Sequence, residues 1–301
     1  MGTVLVRTWH ALRQRRSMAG ACLAAALCFT LVASAETIKK KFSTTASPSF
    51  LLRNYVGTVS VKGWDQNEID IQGHPASDAM EVILMGGEQK VSVQAHPRRE
   101  GLSPQEARLD FEIHVPRNAT VRVDSERGEI IIENLNGGLT IGGISTAVTL
   151  SNVNGNITIN TVDGPIRMQS SQGHIKAESI SGDLTFVHVS GPELRASTNS
   201  GRIRYEGDFG QAGTYVLNSY SSPIDILPSA NASFDLAARA VQGVIESNLP
   251  FRPTPLGNPF RRLSPGKFLQ GRFNNGDSTV EVTSYSGTIR VQGTRTAAGA
   301  P

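Results

Sequence analysis

Outside the first 35 residues, the side chains best able to hold a metal or move a proton are five histidines, His74, His96, His114, His174 and His188. No two stand at a spacing by which a helix or hairpin converges imidazoles on one ion, so metal binding is not expected. Calcium would need several charged oxygens per site, as in the Gly-Gly-x-Gly-x-Asp loops of nonapeptide β-rolls. The chain offers single acids at Asp163 and Asp183, with Asn154, Gln172 or Ser181 at the corresponding corners. No cofactor is implied. Both cysteines, Cys22 and Cys28, fall within the first 35 residues, so removal of that segment leaves no thiol chemistry and no disulfide. Glycoside hydrolysis would need two carboxylates facing each other within about 5 to 10 Å. Nucleophile motifs, phosphate-binding glycine loops and dinucleotide fingerprints are also missing, and the many Gly-x-x-Gly matches are a repeat. The expectation is a protein that is not an enzyme. The alternative is a polysaccharide lyase or hydrolase on a β-helix, which a cluster of acids on neighbouring coils would reveal.

Candidate binding residues are of two kinds. Arg167, Lys176, Arg195 and Arg204 take outward strand positions among Thr140, Thr149, Thr158 and Thr185. They would form a platform for polar or acidic glycans, or else serve as soluble β-formers whose charges discourage edge pairing. Glu178 and Glu206 dilute their charge. The second kind lies in Leu249-Pro250-Phe251-Arg252-Pro253 and Asn258-Pro259-Phe260-Arg261-Arg262. There Phe251, Arg252, Phe260, Arg261 and Arg262 suit docking of a glycan or envelope protein. On the other reading Phe251, Phe260, Phe268 and Phe273 fold back over a side or open end of the stack.

The element that positions these residues is a repeat of nine. Apolar residues recur at Ile130, Leu139, Val148, Ile157, Ile166, Ile175 and Leu184, and a second inward type follows two positions later at Ile132, Ile141, Leu150, Ile159, Met168, Ala177 and Phe186. Alternation within each unit is that of a strand with one buried face, and glycines at Gly128, Gly137, Gly155, Gly164, Gly173 and Gly182 mark the corners. Units of this kind bury their apolar face only against their neighbours. Downstream, Ile203, Ile224 and Ile245 step by 21, which fits two strands per coil. The next equivalent position is Ile289, after a proline-rich insertion. The sequence therefore predicts an all-β chain, one elongated solenoid with two main strands per coil and an irregular N-terminal cap. Its divisions are a signal peptide 1–35, a cap with degenerate repeats 36–126, regular coils 127–249, an insertion 250–276, C-terminal strands 277–293 and a flexible tail 294–301. Phe234 to Val241 is ambiguous between strand and helix.

The signal peptide is read from Arg7, Arg13, Arg15 and Arg16, the apolar run Met18 to Val32, and Ala33-Ser34-Ala35 before Glu36. The run is short for a membrane span, which needs about 20 apolar residues. Without the leader's arginines, 25 basic residues face 26 acidic ones, so no basic surface for nucleic acid is expected. Export to periplasm, outer surface or medium is expected, with no membrane span after cleavage.

The exported leader, Phe111-Glu112-Ile113-His114-Val115-Pro116 running into Val121-Arg122-Val123, and the elements Ser170 to Ile175, Ser179 to Leu184 and Ser284 to Ile289 resemble the bacterial adhesin-like domain family of unknown function, with adhesin-head-like GIN-type repeats. The resemblance covers roughly 50–292 and implies a right-handed β-solenoid at the cell envelope. It supplies no catalytic residues. The function expected is a non-catalytic, adhesin-like binding or structural scaffold.

Overall fold

The computed structural model describes residues 37–253 and 267–293, among which every regular element is a strand and none is a helix. The expected leader and tail lie outside the described residues. The N-terminal strands are β1 (Ile38–Ser43), β2 (Ser49–Trp64), β3 (Glu68–Pro75), β4 (Met80–Gly86), β5 (Lys90–Pro97) and β6 (Leu109–Pro116). The regular region holds β7 (Thr120–Leu135), β8 (Leu139–Asp163), β9 (Ile166–Gln169), β10 (Gln172–Ser179), β11 (Leu184–Val187), β12 (Ser190–Thr198) and β13 (Ile203–Gly207). Then follow β14 (Thr214–Ser219), β15 (Ile224–Pro228), β16 (Phe234–Ala240), β17 (Ile245–Ser247), β18 (Phe268–Phe273), β19 (Ser278–Ser284) and β20 (Ile289–Val291). All belong to one sheet that curls nearly closed around a single apolar cluster.

The repeat sets the register. Ile157 of β8 lies beside Ile175 of β10, and Val148 of β8 beside Ile166 of β9, each pair parallel and 18 residues apart. Partners are thus two nine-residue units apart, so alternate units build two separate ladders. Ile175 continues to Leu194 and Tyr215, and Ile166 to Leu184, Ile203 and Ile224. From Ile130 to Leu184 every ninth residue is at most 2 % exposed. Each such aliphatic side chain withdrawn from water stabilises by about 1.5–3 kcal/mol.

The corners explain the glycines. At one corner Ser179, Thr198, Ser219 and Ser284 are buried, and each hydroxyl accepts the backbone N–H three residues on, at 2.9–3.1 Å. The side chain thereby satisfies a donor that the ladder leaves free. The turn then closes on residues such as Gly182, where a Cβ would sit 1.9 Å from the carbonyl oxygen of Gly164 one rung below. At the other corner Asn134, Asn152, Ser170 and His188 take φ of 49–57°, and the Asn152 amide donates to Asn134 Oδ1 at 2.8 Å. Asparagine tolerates this left-handed conformation better than most residues.

Both ends depart from simple winding. At the C-terminal end β14 pairs with β19, and β19 in turn with β16; likewise β15 pairs with β20 and β20 with β17. Ile224 therefore lies beside Ile289, and Ile289 beside Ile245, which corrects the expectation that Ile224 and Ile245 mark successive coils. The equal 21-residue steps arise because both rungs have the same strand and corner lengths; the later rung, β19 and β20, is intercalated between them. The Phe234 to Val241 stretch is strand β16. Within the expected insertion, β18 pairs antiparallel with β16 and covers that end. At the N-terminal end β2 lies between β7 on one side and β5 and β6 on the other, although both of the latter follow it in sequence. Strands β3 and β4 pair antiparallel with β6 and β5, and β1 with β3. An antiparallel strand over a terminal rung covers ladder donors that would otherwise recruit another chain.

Candidate functional site

The structure places the outward cations in the columns their spacing implies. Thr158, Lys176 and Arg195 stand side by side on one ladder, and Thr149, Arg167, Thr185 and Arg204 on the other. Three of the four are tied to an acid two residues away on the same strand. Lys176 Nζ is 3.0 Å from Glu178, Arg195 Nε 2.5 Å from Glu193, and Arg204 Nη2 2.8 Å from Glu206. Exposed pairs of this kind add little stability. Their effect here is to cancel the field an acidic ligand would follow. Arg167 makes no ion pair among the described residues.

Phe251 is turned inward, with its ring 6.0 Å from that of Phe234 and 6.2 Å from that of Phe273. Arg252 exchanges two backbone hydrogen bonds with Arg272, and its guanidinium donates to the Asn274 carbonyl. This part of the proline-rich segment folds back over the end of the stack. Phe260, Arg261 and Arg262 lie outside the described residues. The histidines are dispersed: His114 stacks on Trp64 at 5.0 Å, His188 sits in a left-handed corner, and no cluster of His, Asp and Glu able to hold a metal forms among the described residues.

The residues that do converge are ones the spacing did not single out. Immediately after the buried hydroxyl at the first corner comes an exposed side chain, and successive rungs align these positions. Ile144, Val162, Ile180, Tyr220, Tyr285 and Val241 all belong to this column, each 37–59 % exposed. Tyr220 and Tyr285 stack ring on ring at 4.8 Å and 3°. Most of the exposed large apolar side chains among the described residues thus lie along one corner, with Asn199 the polar member between Ile180 and Tyr220, while Ile83 and Met85 are exposed on β4. The signal in the sequence is the corner pattern itself, as in Ser179-Ile180-Ser181-Gly182 and Ser284-Tyr285-Ser286-Gly287.

Toward β2 the same corner opens into a cavity of about 540 Å³. Its lining includes Arg53, Asn54 and Tyr55 of β2, His96 of β5, Asp124 and Glu126 of β7, and Gly142, Gly143 and Ile144 of β8. Gly142 stands where the next rung carries Asn160 and the one after it Glu178, and a Cβ there would meet the Asp124 carboxylate at 2.8 Å; at Gly143 the buried Thr146 side chain takes the place that Thr161 and Ser179 fill on later rungs. Asp124 is held by Arg122, whose Nε and Nη2 lie 3.0 and 3.3 Å from its oxygens, with Arg53 Nε at 3.8 Å. These hydrogen bonds raise the pKa of the Arg122 guanidinium above its ordinary value. Asn54 is 6 % exposed; its Nδ2 donates to the Leu109 carbonyl at 3.0 Å, while its Oδ1 has no partner. Volume, apolar walls and a few fixed polar groups are the ordinary makings of a small-ligand site.

No family model matches the chain, and no curated protein does. Among solved structures, an adhesin-like protein of Bacteroides fragilis aligns with 86 % of this chain and 98 % of its own, at 12 % identity and a TM-score of 0.42. One from Parabacteroides merdae aligns with 86 % and 97 % at 9 % identity and 0.36. A cell-adhesion-type protein of Clostridium sporogenes aligns with 86 % and 98 % at 10 % identity and 0.26. Likenesses of this size decide neither fold nor role; the hydrogen-bond ladders and the corner site stand on their own geometry.

Proposed function

We propose that this chain is an exported, non-catalytic binding scaffold of the cell envelope, adhesin-like in use, and that its two ladders are the faces of a right-handed β-solenoid with two strands per coil. The observation that carries this reading is the division of the surface. The faces of the regular coils bear threonines and mostly self-paired charges, whereas most exposed apolar side chains run along one corner that ends in the cavity. A ladder fixed on both sides of a corner holds its side chains rigidly, which suits recognition by shape. The partner class is a glycan or an envelope protein. Among the described residues no helix is long and apolar enough to cross a membrane.

The alternative of glycoside hydrolysis has one supporting feature, the paired acids Asp124 and Glu126 in the cavity. That chemistry needs one carboxylic acid kept protonated by burial. Glu126 is exposed and Asp124 is bonded to Arg122, so neither carboxyl stands in an apolar pocket. Residues 36–301 should bind members of an immobilised set of envelope glycans and envelope proteins without altering them. Release of shortened glycan, abolished by Glu126→Gln, would replace this reading with the enzymatic one.

A further inference from the structure

Resting on the binding reading above, we propose that the corner cavity is a subsite for one uncharged sugar unit of a glycan. The cavity is open to solvent on one side and its volume of about 540 Å³ falls in the range of small-ligand sites. Its charge balances from within, because Asp124 lies between Arg53 and Arg122 and Glu126 at the rim supplies the second acid. An acidic ligand would have to displace Asp124 from both arginines and would also meet Glu126, whereas a cationic one would meet those arginines. What is left for a ligand is a set of directional groups beside an apolar wall formed by Tyr55 and Ile144.

A neutral sugar matches this lining, since it presents hydroxyls on its edge and C–H groups on its faces. Planar side chains such as those of Arg53 and Asp124 can each engage two neighbouring hydroxyls, and a tyrosine offers an apolar body with a polar tip. An apolar peptide would leave the Asp124 and Arg53 edges without partners. The apolar corner column beyond Ile144 would carry the rest of the glycan away from the subsite.

The test uses the whole mature chain, residues 36–301, and immobilised oligosaccharides that are either neutral or carry uronic acids or sulfates. Gly142→Asn is the decisive variant. It installs the residue found at the same place in the next rung, Asn160, and the nearest obstacle to its Cβ is the flexible Asp124 side-chain oxygen at 2.8 Å. Binding of neutral oligosaccharides is expected to weaken at least tenfold in Gly142→Asn and in Tyr55→Ala, with the melting temperature of Gly142→Asn unchanged. Should Gly142→Asn melt early, Arg53→Gln at the exposed rim serves instead, with the same tenfold loss expected. Undiminished glycan binding in these variants would overturn the subsite and leave the scaffold standing. Binding confined to acidic oligosaccharides would also overturn it. If only envelope proteins bind, the sugar assignment falls alone, whereas if neither glycan nor protein binds the scaffold reading falls with it.

Discussion

Consider a chain ending at Asp277, so that β19 and β20 are absent. Four fully buried side chains go with them, Val280, Val282, Ile289 and Val291. At about 1.5–3 kcal/mol each the lost burial is about 6–12 kcal/mol, comparable to the whole stability of an ordinary domain. The loss should not spread evenly. Strands β16 and β17 pair with the rest of the sheet through β19 and β20, and β16 otherwise pairs only with β18. Deleting the intercalated rung therefore disconnects β16, β17 and β18 together, although all three remain in the chain. The competing outcome is a slide of β16 by one rung, about 4.8 Å, onto β14. The 21-residue spacing would allow it, but Phe234 would be driven into Phe209, whose ring already lies 4.7 Å from it and 4.8 Å from that of Tyr215. Hydrogen exchange read by mass spectrometry separates the two. Residues 234–247 and 268–273 should exchange as if unfolded, while 121–198 stays protected. Retained protection across 234–247 would refute the intercalated order as the source of that region's stability.

Other perturbations test the corners and the buried ring groups. Gly182→Ala should cost about 1–3 kcal/mol in denaturant unfolding, because its Cβ would meet a backbone carbonyl at 1.9 Å; Gly138→Ala, with its nearest side-chain contact at 3.4 Å, should change little. Ser284→Ala should cost about 1–3 kcal/mol by leaving the Gly287 N–H without its acceptor in a buried corner, measured in the same way. Burial pushes the Tyr205 phenol above its ordinary value, and its hydroxyl donates to the Val189 carbonyl. A raised pKa means stability is full below the unfolded phenol's value of about 10 and is lost as pH climbs from there toward the folded value. Difference absorbance should show Tyr205 ionising only with unfolding, and an early independent titration would contradict this. Tyr205→Phe should flatten part of that alkaline loss.

From the sequence alone came the strands of the nine-residue repeat, their inward residues and the two strands per coil. This follows from arithmetic: a period-two strand and a constant unit length leave one register in which Ile130, Ile157 and Ile175 all avoid water. The glycine corners were legible for the same reason, since a Cβ at Gly182 cannot coexist with a carbonyl one rung below. Periodicity does not specify which rung lies next to which once linkers vary. Rungs of equal length and similar composition stack in either order, and at both ends the choice fell to what the connections and caps permit. Aromatic packing of Phe209 with Phe234 and the antiparallel cover of β18 decide one end; β3 and β4 decide the other. The corner cavity needed the same information. Gly142-Gly143 is visible as a gap in the pattern, but its walls come from β2, β5 and β7, and backbone pairing across the tertiary structure alone brings them to one place.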